Sequence, residues 1–325
     1  MLYSTHIETY EKLESTNGMI EKTEYVSELL EKTPTDLLVE TILLLNGDIF
    51  QEWDKRELGI GDKLLVESVS EATGVSKSKI EDLRRTKGDI GKAIETAVEN
   101  KKQASLMSEK LSISKIYERL NEIANAEGEG SQKTKKSYLA DLFLNSEPVE
   151  ARYLARTIMG KMRTGVGEGI LRDAIAQTFN VNKELVEKDY MLTADMGNVA
   201  KVAKEKGNEG LKNMKPEIGK PIKPMLAQVS DSIEAIFNDL GDKARFDLKY
   251  DGARVQIHKK NTNITIFSRR MEDVTNALPD IVKVVKNNIK SNEIIFEGEI
   301  VAISDDGPKP FQEILKRFRR KYWYR

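Results

Sequence analysis

The sequence contains no cysteine, which excludes disulfide bonds and thiolate metal sites. It has no apolar run long enough to span a membrane, and its N-terminus lacks the pattern of a secretory signal peptide. A global basic excess is also missing, because 52 Lys and Arg residues stand against 53 Asp and Glu residues. These absences predict a soluble protein of the cytoplasm.

The 325 residues are enough for two or three domains, each with its own core. In the first part, residues 1–207, apolar residues recur at intervals of three and four, for example from Tyr10 to Leu30, which predicts an all-α domain. The Gly- and Lys-rich stretch 127–136 predicts a mobile loop between helices. Residues 208–224, with several prolines, predict a linker. Alternating apolar residues then predict strands in an α+β domain over residues 225–325.

The helical half contains an internal repeat. The segment Gly59-Ile-Gly-Asp-Lys-Leu-Leu aligns with Gly165-Val-Gly-Glu-Gly-Ile-Leu, and the paired residue numbers differ by 106. The same offset continues without a gap and pairs Val75 with Val181, Asp89 with Asp195, and Ala97 with Ala203. This ungapped register predicts two copies of a helical unit that are related by a pseudo-two-fold axis.

Each copy has a Gly-x-Gly turn that leads directly into an amphipathic helix, formed by Gly59 and Gly61 in the first and by Gly165 and Gly167 in the second. Such a turn exposes backbone N–H groups at a helix N-terminus, which is an arrangement that binds phosphate. Two symmetric turns fit the two backbones of a DNA duplex, and backbone contacts position a protein without reading the base sequence. In the alternative interpretation, these glycines only cap and connect helices.

The second turn is the more basic of the two, since Lys161 and Arg163 precede it, next to Thr164. Acidic residues are common before the first turn, so we expect the second turn to contribute more to DNA binding. The segment Gly160-Lys-Met-Arg-Thr-Gly-Val-Gly-Glu-Gly169 resembles a stretch in the N-terminal DNA-binding domain of archaeal and eukaryotic replicative DNA ligases. The resemblance covers essentially the whole helical half.

Two alternating apolar runs, Ala244 to Leu248 and Ala253 to Ile257, flank a Tyr-Asp-Gly sequence and predict a strand–turn–strand hairpin. Lys249 ends the first predicted strand, where burial favours the neutral amine that can attack phosphorus. Arg254 returns a fixed cation to the same pocket. The pattern Lys-x-Asp-Gly-x-Arg occurs by chance in roughly a few of a thousand chains of this length. This frequency favours a functional site over a surface hairpin with ordinary charged residues.

The stretch Phe246-Asp-Leu-Lys-Tyr-Asp-Gly-Ala-Arg254 resembles the nucleotidyl-lysine signature of ATP-dependent DNA ligases and of their relatives, the RNA ligases and mRNA capping enzymes. The resemblance implies that Lys249 is the residue that accepts AMP from ATP. It also implies that Asp247 contacts the adenine, in the place of a glutamate in most of these ligases, and that Arg254 holds phosphate or ribose groups.

Downstream motifs follow in the order that the same family shows. Arg269 follows a predicted strand from Asn263 to Ser268 and matches the arginine of the second signature, although a solvated arginine is the alternative. Glu297 and Glu299 lie on one face of another predicted strand, which suits Mg²⁺ or ribose hydroxyls. The resemblance assigns Glu299 to the nucleotide and the metal, and a Pro-Phe-Gln segment at Pro310 follows as in archaeal ligases.

The family has further motifs and an oligonucleotide-binding barrel beyond the point that corresponds to Arg325, so we expect a truncated ligase. Residues 316–325 are basic and aromatic, which suits either nucleic acid or a solvated tail. The segment Gln103-Ala-Ser-Leu-Met107 is similar to the sliding-clamp docking segment of archaeal ligases, but lacks its aromatic pair. A helix start with a buried leucine is the alternative for that segment.

Taken with the resemblance, the sequence predicts an ATP-dependent DNA ligase that uses ATP and Mg²⁺, acts on nicked double-stranded DNA in replication, repair and recombination, and lies with the nucleoid. Two alternatives stay open. The chain can be a DNA-binding module that does not complete catalysis, or an RNA ligase or capping enzyme. The last alternative explains the lysine hairpin but not the helical repeat.

Overall fold

A computed structural model describes residues 1–101, 109–241, 243–305 and 307–318. The chain divides into two compact units. The first consists of Met1–Tyr190 and Asp195–Met214, and the second of Met191–Ala194 and Lys215–Arg325. The helical half and the strand-containing half that the sequence predicts are therefore both present.

The first unit is built from α-helices, which confirms the predicted all-α half. In chain order, these helices are α1 (Tyr3–Ser15), α2 (Met19–Lys32), α3 (Leu38–Asn46), α4 (Asp62–Thr73), α5 (Lys77–Lys87), α6 (Ile90–Glu99), α7 (Ile113–Asn125), α8 (Ser131–Leu144), α9 (Pro148–Ile158), α10 (Glu168–Thr178), α11 (Lys183–Thr193) and α12 (Met196–Lys212). No helix within the described ranges is both long and apolar enough to cross a membrane.

The predicted internal repeat is confirmed, and it extends over the whole unit. Helices α1 to α6 form the first copy and α7 to α12 form the second, with corresponding helices in the same order. The two copies meet at an isolated antiparallel bridge between Leu2 and Ser112. There, the Tyr3 N–H donates to the Leu111 carbonyl over 2.9 Å, and the Ile113 N–H donates to the Met1 carbonyl over 3.1 Å. This reciprocity is what a pseudo-two-fold axis through the bridge produces.

Each copy packs its helices against those of the other copy. Helix α2 contacts α10 and, in the same way, α8 contacts α4; helix α3 contacts α12, as α6 contacts α9. The apolar side chains between these pairs form one continuous core. Neither copy therefore encloses a core of its own.

A buried ion network adds to this core. Arg156 of α9 is only 1% exposed, and its guanidinium donates to Glu14 of α1 over 2.9 Å and to Asp89 over 3.1 Å. Burial by itself would raise the pKa of Asp89, but the Lys92 N–H and the Arg156 guanidinium hold it below its usual value. The network joins the second copy to the first through charges that would be costly to leave unpaired.

The structure refines one local prediction for this unit and contradicts part of another. The segment from Tyr10 to Leu30 is helical as predicted, and it is divided between α1 and α2 by a break at residues 16–18. The stretch 127–136 is not a loop throughout, since α8 begins at Ser131. Gly128 and Gly130 make the turn with positive φ angles of 79° and 84°, and the polar residues after them belong to a helix.

The second unit contains a three-stranded antiparallel sheet in the order β2-β1-β3, formed by β1 (Ala253–Lys260), β2 (Asn263–Ser268) and β3 (Glu293–Ile300). The strands that the sequence predicts at these places are confirmed. Helix α13 (Ile233–Leu240) precedes the sheet, α14 (Pro279–Asn288) lies between β2 and β3, and a short hairpin of β4 (Ile303–Ser304) and β5 (Gly307–Pro308) leads to α15 (Gln312–Phe318). Its small core comprises Val255, Ile257, Ile266, Leu278 and Val285.

The prediction of a strand from Ala244 to Leu248 is wrong, and this segment has an irregular backbone. Strand β1 cannot pair with it, since β2 and β3 already occupy both edges of β1. Phe246 and Leu248, the apolar residues of the alternating pattern, are 81% and 75% exposed. The segment has the alternating pattern of a strand, but no strand in the described residues pairs with it.

The region predicted as a linker, residues 208–224, begins inside α12, which has a non-helical residue at Gly207 and ends at Lys212. Its later part is held on β1. The Gly219 N–H donates to Nδ1 of His258 over 2.9 Å, and the Ile222 N–H donates to Oε1 of Gln256 over 2.8 Å. This entry into the second unit is thus fixed by two buried side chains of the sheet.

These contacts generate a prediction about His258. Burial lowers the pKa of His258 to about 4, and its Nδ1 accepts a hydrogen bond, so the folded imidazole is neutral and carries its proton on Nε2. An unfolded histidine takes up a proton near pH 6.5. The His258 contribution to stability, about 3 kcal/mol, is therefore complete above pH 6.5 and is lost as the pH falls toward 4.

Proton NMR can check this, because the chain has only two histidines. The imidazole resonance that disappears in His258→Gln should not titrate between pH 8 and 5. A midpoint near 6.5 for that resonance would show that the imidazole is not held by the Gly219 N–H.

Candidate functional site

The two Gly-x-Gly turns have the same backbone geometry. Gly59 and Gly165 have φ angles of 61° and 65°, in the left-handed region that favours glycine. Gly61 and Gly167 have extended backbone and are the N-caps of α4 and α10. A Cβ added to Gly61 or Gly167 would meet no atom within 4 Å, so the space in front of both helix N-termini is open.

The residues before the second turn alternate between exposed and buried positions. Lys161 and Arg163 are exposed, whereas Met162 and Thr164 are buried, and Gly165 is again exposed. The sequence-predicted cations therefore lie on the same outer surface as the turn. Thr164 does not, and it contributes its backbone carbonyl to an internal contact.

The segment before each turn is tied to the other copy through an aspartate that caps a helix. Asp89 caps α6 by accepting from the Lys92 N–H, and it also pairs with Arg163 over 3.2 Å. Asp195 caps α12 in the corresponding way, and it accepts from Gln51 Nε2 over 3.0 Å. Arg163 has a φ of 64°, so this ion pair stabilises a backbone conformation that is uncommon for arginine.

Two buried lysines, which the sequence analysis missed, lie behind the turns. Lys22 is 8% exposed, and its ammonium donates to the Thr164 carbonyl over 2.8 Å. Lys135 is 7% exposed, and its ammonium donates to the Leu58 carbonyl over 2.7 Å. Both carbonyls immediately precede the positive-φ glycines. The correspondence of α2 with α8 in the repeat was the one available signal that their lysines are related. Nothing in either helix sequence, however, indicates that these lysines are buried.

Lysines from two helices also lie near the first turn. A shallow cleft of 460 Å³ next to Gly61 is lined by Lys63 and Glu67 of α4 and by Lys133 and Lys136 of α8, and Lys136 pairs with Glu71 over 2.8 Å. Two of these lysines come from the stretch that was predicted to be a loop, so their convergence on the turn could not be foreseen. That the second turn contributes more to DNA binding stays a prediction.

Lys249 lies in the irregular segment before β1 and is exposed. The expectation that it ends a strand and is buried is wrong, for the reason given for residues 244–248. Asp247 is also exposed, and its Oδ1 accepts from the Leu248 N–H over 3.0 Å. The residues of the motif before β1 therefore form an irregular segment in which Lys249 is exposed to solvent.

The turn after Lys249 is pressed against β3. A Cβ added to Gly252 would lie 2.5 Å from the Ile300 carbonyl oxygen and 2.8 Å from Cγ of Glu299, so only glycine fits there. Asp251 accepts from the Phe311 N–H over 3.2 Å, which joins the lysine motif to the Pro-Phe-Gln segment. Three of the sequence-predicted motifs are therefore in contact.

Arg254 and Arg269 come together at the same side of the sheet. Both line a narrow cleft with Glu297, Gln256 and Pro221. Arg254 pairs with Glu297, which also accepts from Gln256 Nε2 over 3.2 Å. Arg269 is exposed in the turn after β2. The cleft therefore presents the Arg254–Glu297 ion pair and the guanidinium of Arg269.

Glu299 lies directly opposite Arg254 in the register of β1 and β3, and its side chain is exposed next to Gly252. In the described residues, no group of three or more acidic or histidine side chains could hold a metal ion. Mg²⁺ is usually held by one or two carboxylates together with substrate phosphates and water. The exposed carboxylate of Glu299 fits such a site, whereas Glu297 is already paired.

Two sequence-predicted segments lie outside the described residues: the possible clamp-binding segment at 103–107 and most of the basic, aromatic end at 316–325.

Comparisons with known proteins agree with this geometry. A family model for the DNA ligase N terminus matches residues 2–176, and a model for the ATP dependent DNA ligase domain matches residues 224–325. A DNA ligase of Thermococcus onnurineus is 49% identical over 323 residues, covering 99% of this chain and 58% of that protein. DNA ligases of Archaeoglobus fulgidus and Methanothermobacter thermautotrophicus are each 44% identical, again over 99% of this chain and over 58% and 57% of their own lengths.

The chain therefore spans less than three fifths of the length of these relatives. The first family model covers both turns and the helices from α1 into α10, and the second covers the sheet and the lysine motif. The chain belongs to the ATP-dependent DNA ligase family, and it is similar to archaeal members over nearly all of its length.

Proposed function

We propose that this chain is the DNA-binding and nucleotide-binding part of a ligase that seals nicks in duplex DNA through a lysine–AMP intermediate. The contact of Gly252 with β3 carries the proposal. It brings the segment of Lys249 to the strand of Glu299, where Arg254 and Arg269 line a common cleft. The residues that we assign to adenylyl transfer therefore lie on neighbouring elements.

In the first step, the neutral amine of Lys249 attacks the α-phosphorus of ATP. The N–P bond forms, the bond to the β-phosphate oxygen breaks, pyrophosphate leaves, and the amine loses a proton to solvent. Negative charge is present on the phosphoryl oxygens throughout, so Arg254 and Arg269 are placed to bind them. Asp247 is assigned to the adenine and Glu299 to the ribose.

In the second step, a 5′-phosphate oxygen at the nick attacks the same phosphorus, the N–P bond breaks, and the lysine amine regains its proton. In the third step, the 3′-hydroxyl attacks the activated 5′-phosphate, loses its proton, and displaces AMP. Mg²⁺, which Glu299 would hold, supplies charge neutralisation at the phosphates when it is bound.

The helical unit is proposed to hold the duplex that contains the nick. Its two turns, each with an open helix N-terminus and nearby lysines, have the symmetry of two antiparallel backbones. Lys161, Arg163, Gly165 and Gly167 would contact one backbone, and Gly59 and Gly61 the other. Such contacts suit replication, repair and recombination, where nicks occur in any sequence. A chromosomal substrate would place the chain in the cytoplasm, with the nucleoid.

A second candidate is DNA binding without complete catalysis. The exposure of Lys249 and of the segment before it favours this candidate for the 325-residue chain. An RNA ligase or capping enzyme would use the same lysine motif, but would leave the symmetric helical unit without a role.

The lysine–AMP proposal predicts that incubation with α-labelled ATP and Mg²⁺ will label the chain covalently, and that Lys249→Ala will abolish the label. Lys243→Ala is the matched control, because Lys243 is an exposed lysine in the same segment. It should be labelled as strongly as the unaltered chain.

A label that persists in Lys249→Ala would refute the assignment of the nucleophile. If the unaltered chain takes up no label but binds nicked duplex in a salt-sensitive manner, the second candidate is correct for this chain.

The proposed DNA contacts predict that Gly167→Ala will weaken binding to nicked duplex without destabilising the fold. Gly167 has φ −134° and open space at its Cβ position, so alanine fits the free protein. Since the added methyl group would occupy the space in front of the helix N-terminus, we expect the affinity to fall by about tenfold, on the order of 1.4 kcal/mol. Fluorescence anisotropy and thermal unfolding measure the two effects. A lower melting temperature with unchanged affinity would contradict the proposed contact.

A further inference from the structure

In the part of the chain that the structure describes, the two buried lysines behind the Gly-x-Gly turns have no negatively charged partner. Within the described residues, the Lys22 ammonium donates its only hydrogen bond to the Thr164 carbonyl, and the Lys135 ammonium donates its only hydrogen bond to the Leu58 carbonyl. An ammonium carries three N–H donors, so each site leaves donors over. Removing a charge from water without a counter-charge is costly, which makes two such sites in one unit unusual.

Their positions obey the pseudo-two-fold symmetry. Lys22 lies on α2 of the first copy and serves the turn of the second copy, while Lys135 lies on α8 of the second copy and serves the turn of the first. Helix α2 packs on α10 and α8 packs on α4, which are the helices that follow the turns served. Each of the two symmetry-related turns therefore has a buried ammonium group behind it.

Each ammonium lies directly behind an exposed glycine. Nζ of Lys135 is 3.2 Å from the place where a Cβ of Gly59 would be, and Nζ of Lys22 occupies the corresponding place at Gly165 even more closely. Because glycine has no side chain, little more than its backbone separates the charge from the outer surface of the turn. An anion at that surface would interact with the ammonium through a medium of low dielectric constant.

We propose that Lys22 and Lys135 are positioning residues for the two DNA backbones, and that a backbone phosphate bound at each turn neutralises the charge of the ammonium behind it. This inference rests on the proposed binding of duplex DNA by the turns. Each lysine holds the carbonyl that precedes its turn, so that the backbone N–H groups of the turn face outward. Its ammonium also places a full positive charge behind those N–H groups. The free chain holds two uncompensated cations, and the bound chain neutralises both.

The test is the salt dependence of binding to a fluorescent nicked duplex, measured with the 325-residue chain. Each phosphate that is neutralised by a protein cation contributes about 0.9 to the slope of log Kobs against log salt concentration. Lys22→Met and Lys135→Met should each lower the magnitude of the slope by about 0.9, and the double variant by about 1.8. Methionine keeps an unbranched stem in the buried channel and removes the charge.

Lys204→Met is the matched control. The Lys204 ammonium also donates to a backbone carbonyl, that of Thr33, which belongs to neither turn. Its replacement should leave the slope unchanged. Lys22→Gln and Lys135→Gln supply a second comparison, because glutamine keeps an N–H donor without the charge; they should show the reduced slope of the methionine variants.

A lysine that only supports the backbone gives a different result. The affinity would then fall in Lys22→Met with an unchanged slope, or Lys22→Gln would restore the full slope, and either outcome would overturn the inference. If the methionine variants do not fold, the glutamine variants decide in the same way. If the unaltered chain shows no salt-dependent binding at all, the proposed DNA binding itself fails.

Discussion

The exchange of packing between its two copies is the constraint on which the helical unit depends. Helix α2 lies on α10 and α8 lies on α4, so that each copy closes the core of the other. The hydrogen bonds between Tyr3 and Leu111 and between Ile113 and Met1 mark the axis of this exchange. Because well-packed interiors resist deformation, the distance and angle between the two turns are fixed by the core, not by the turns themselves.

The repeat could be predicted from the sequence, because identical residues recur at a constant offset, without a gap, starting from the pair Gly59 and Gly165. The roles of Lys22 and Lys135 could not, because burial of these lysines is imposed by the opposite copy, far away in the chain. In the sequence, Lys22 stands between glutamates on an amphipathic helix, and Lys135 stands in a stretch as polar as a loop. Helical periodicity indicates which side of a helix is apolar, but not what another helix places against it.

In the sheet-containing unit, the alternating pattern correctly predicted β1 and β2, and the motif predicted that Arg254, Arg269 and Glu299 lie on neighbouring elements. The segment from Ala244 to Leu248 shows where that reasoning stops. Alternation specifies which side chains share a face, whereas a strand also needs a partner for its N–H and carbonyl groups. The burial of Lys249 was inferred from the same missing strand and failed with it.

The reciprocal contacts of the helical unit have a bearing on its evolution. Lys22 with Thr164 mirrors Lys135 with Leu58, and Asp89 with Arg163 mirrors Asp195 with Gln51. Contacts of this kind, in which the same patch serves both partners, are those of an isologous dimer. The unit thus has the form of a two-fold dimer fused into one polypeptide.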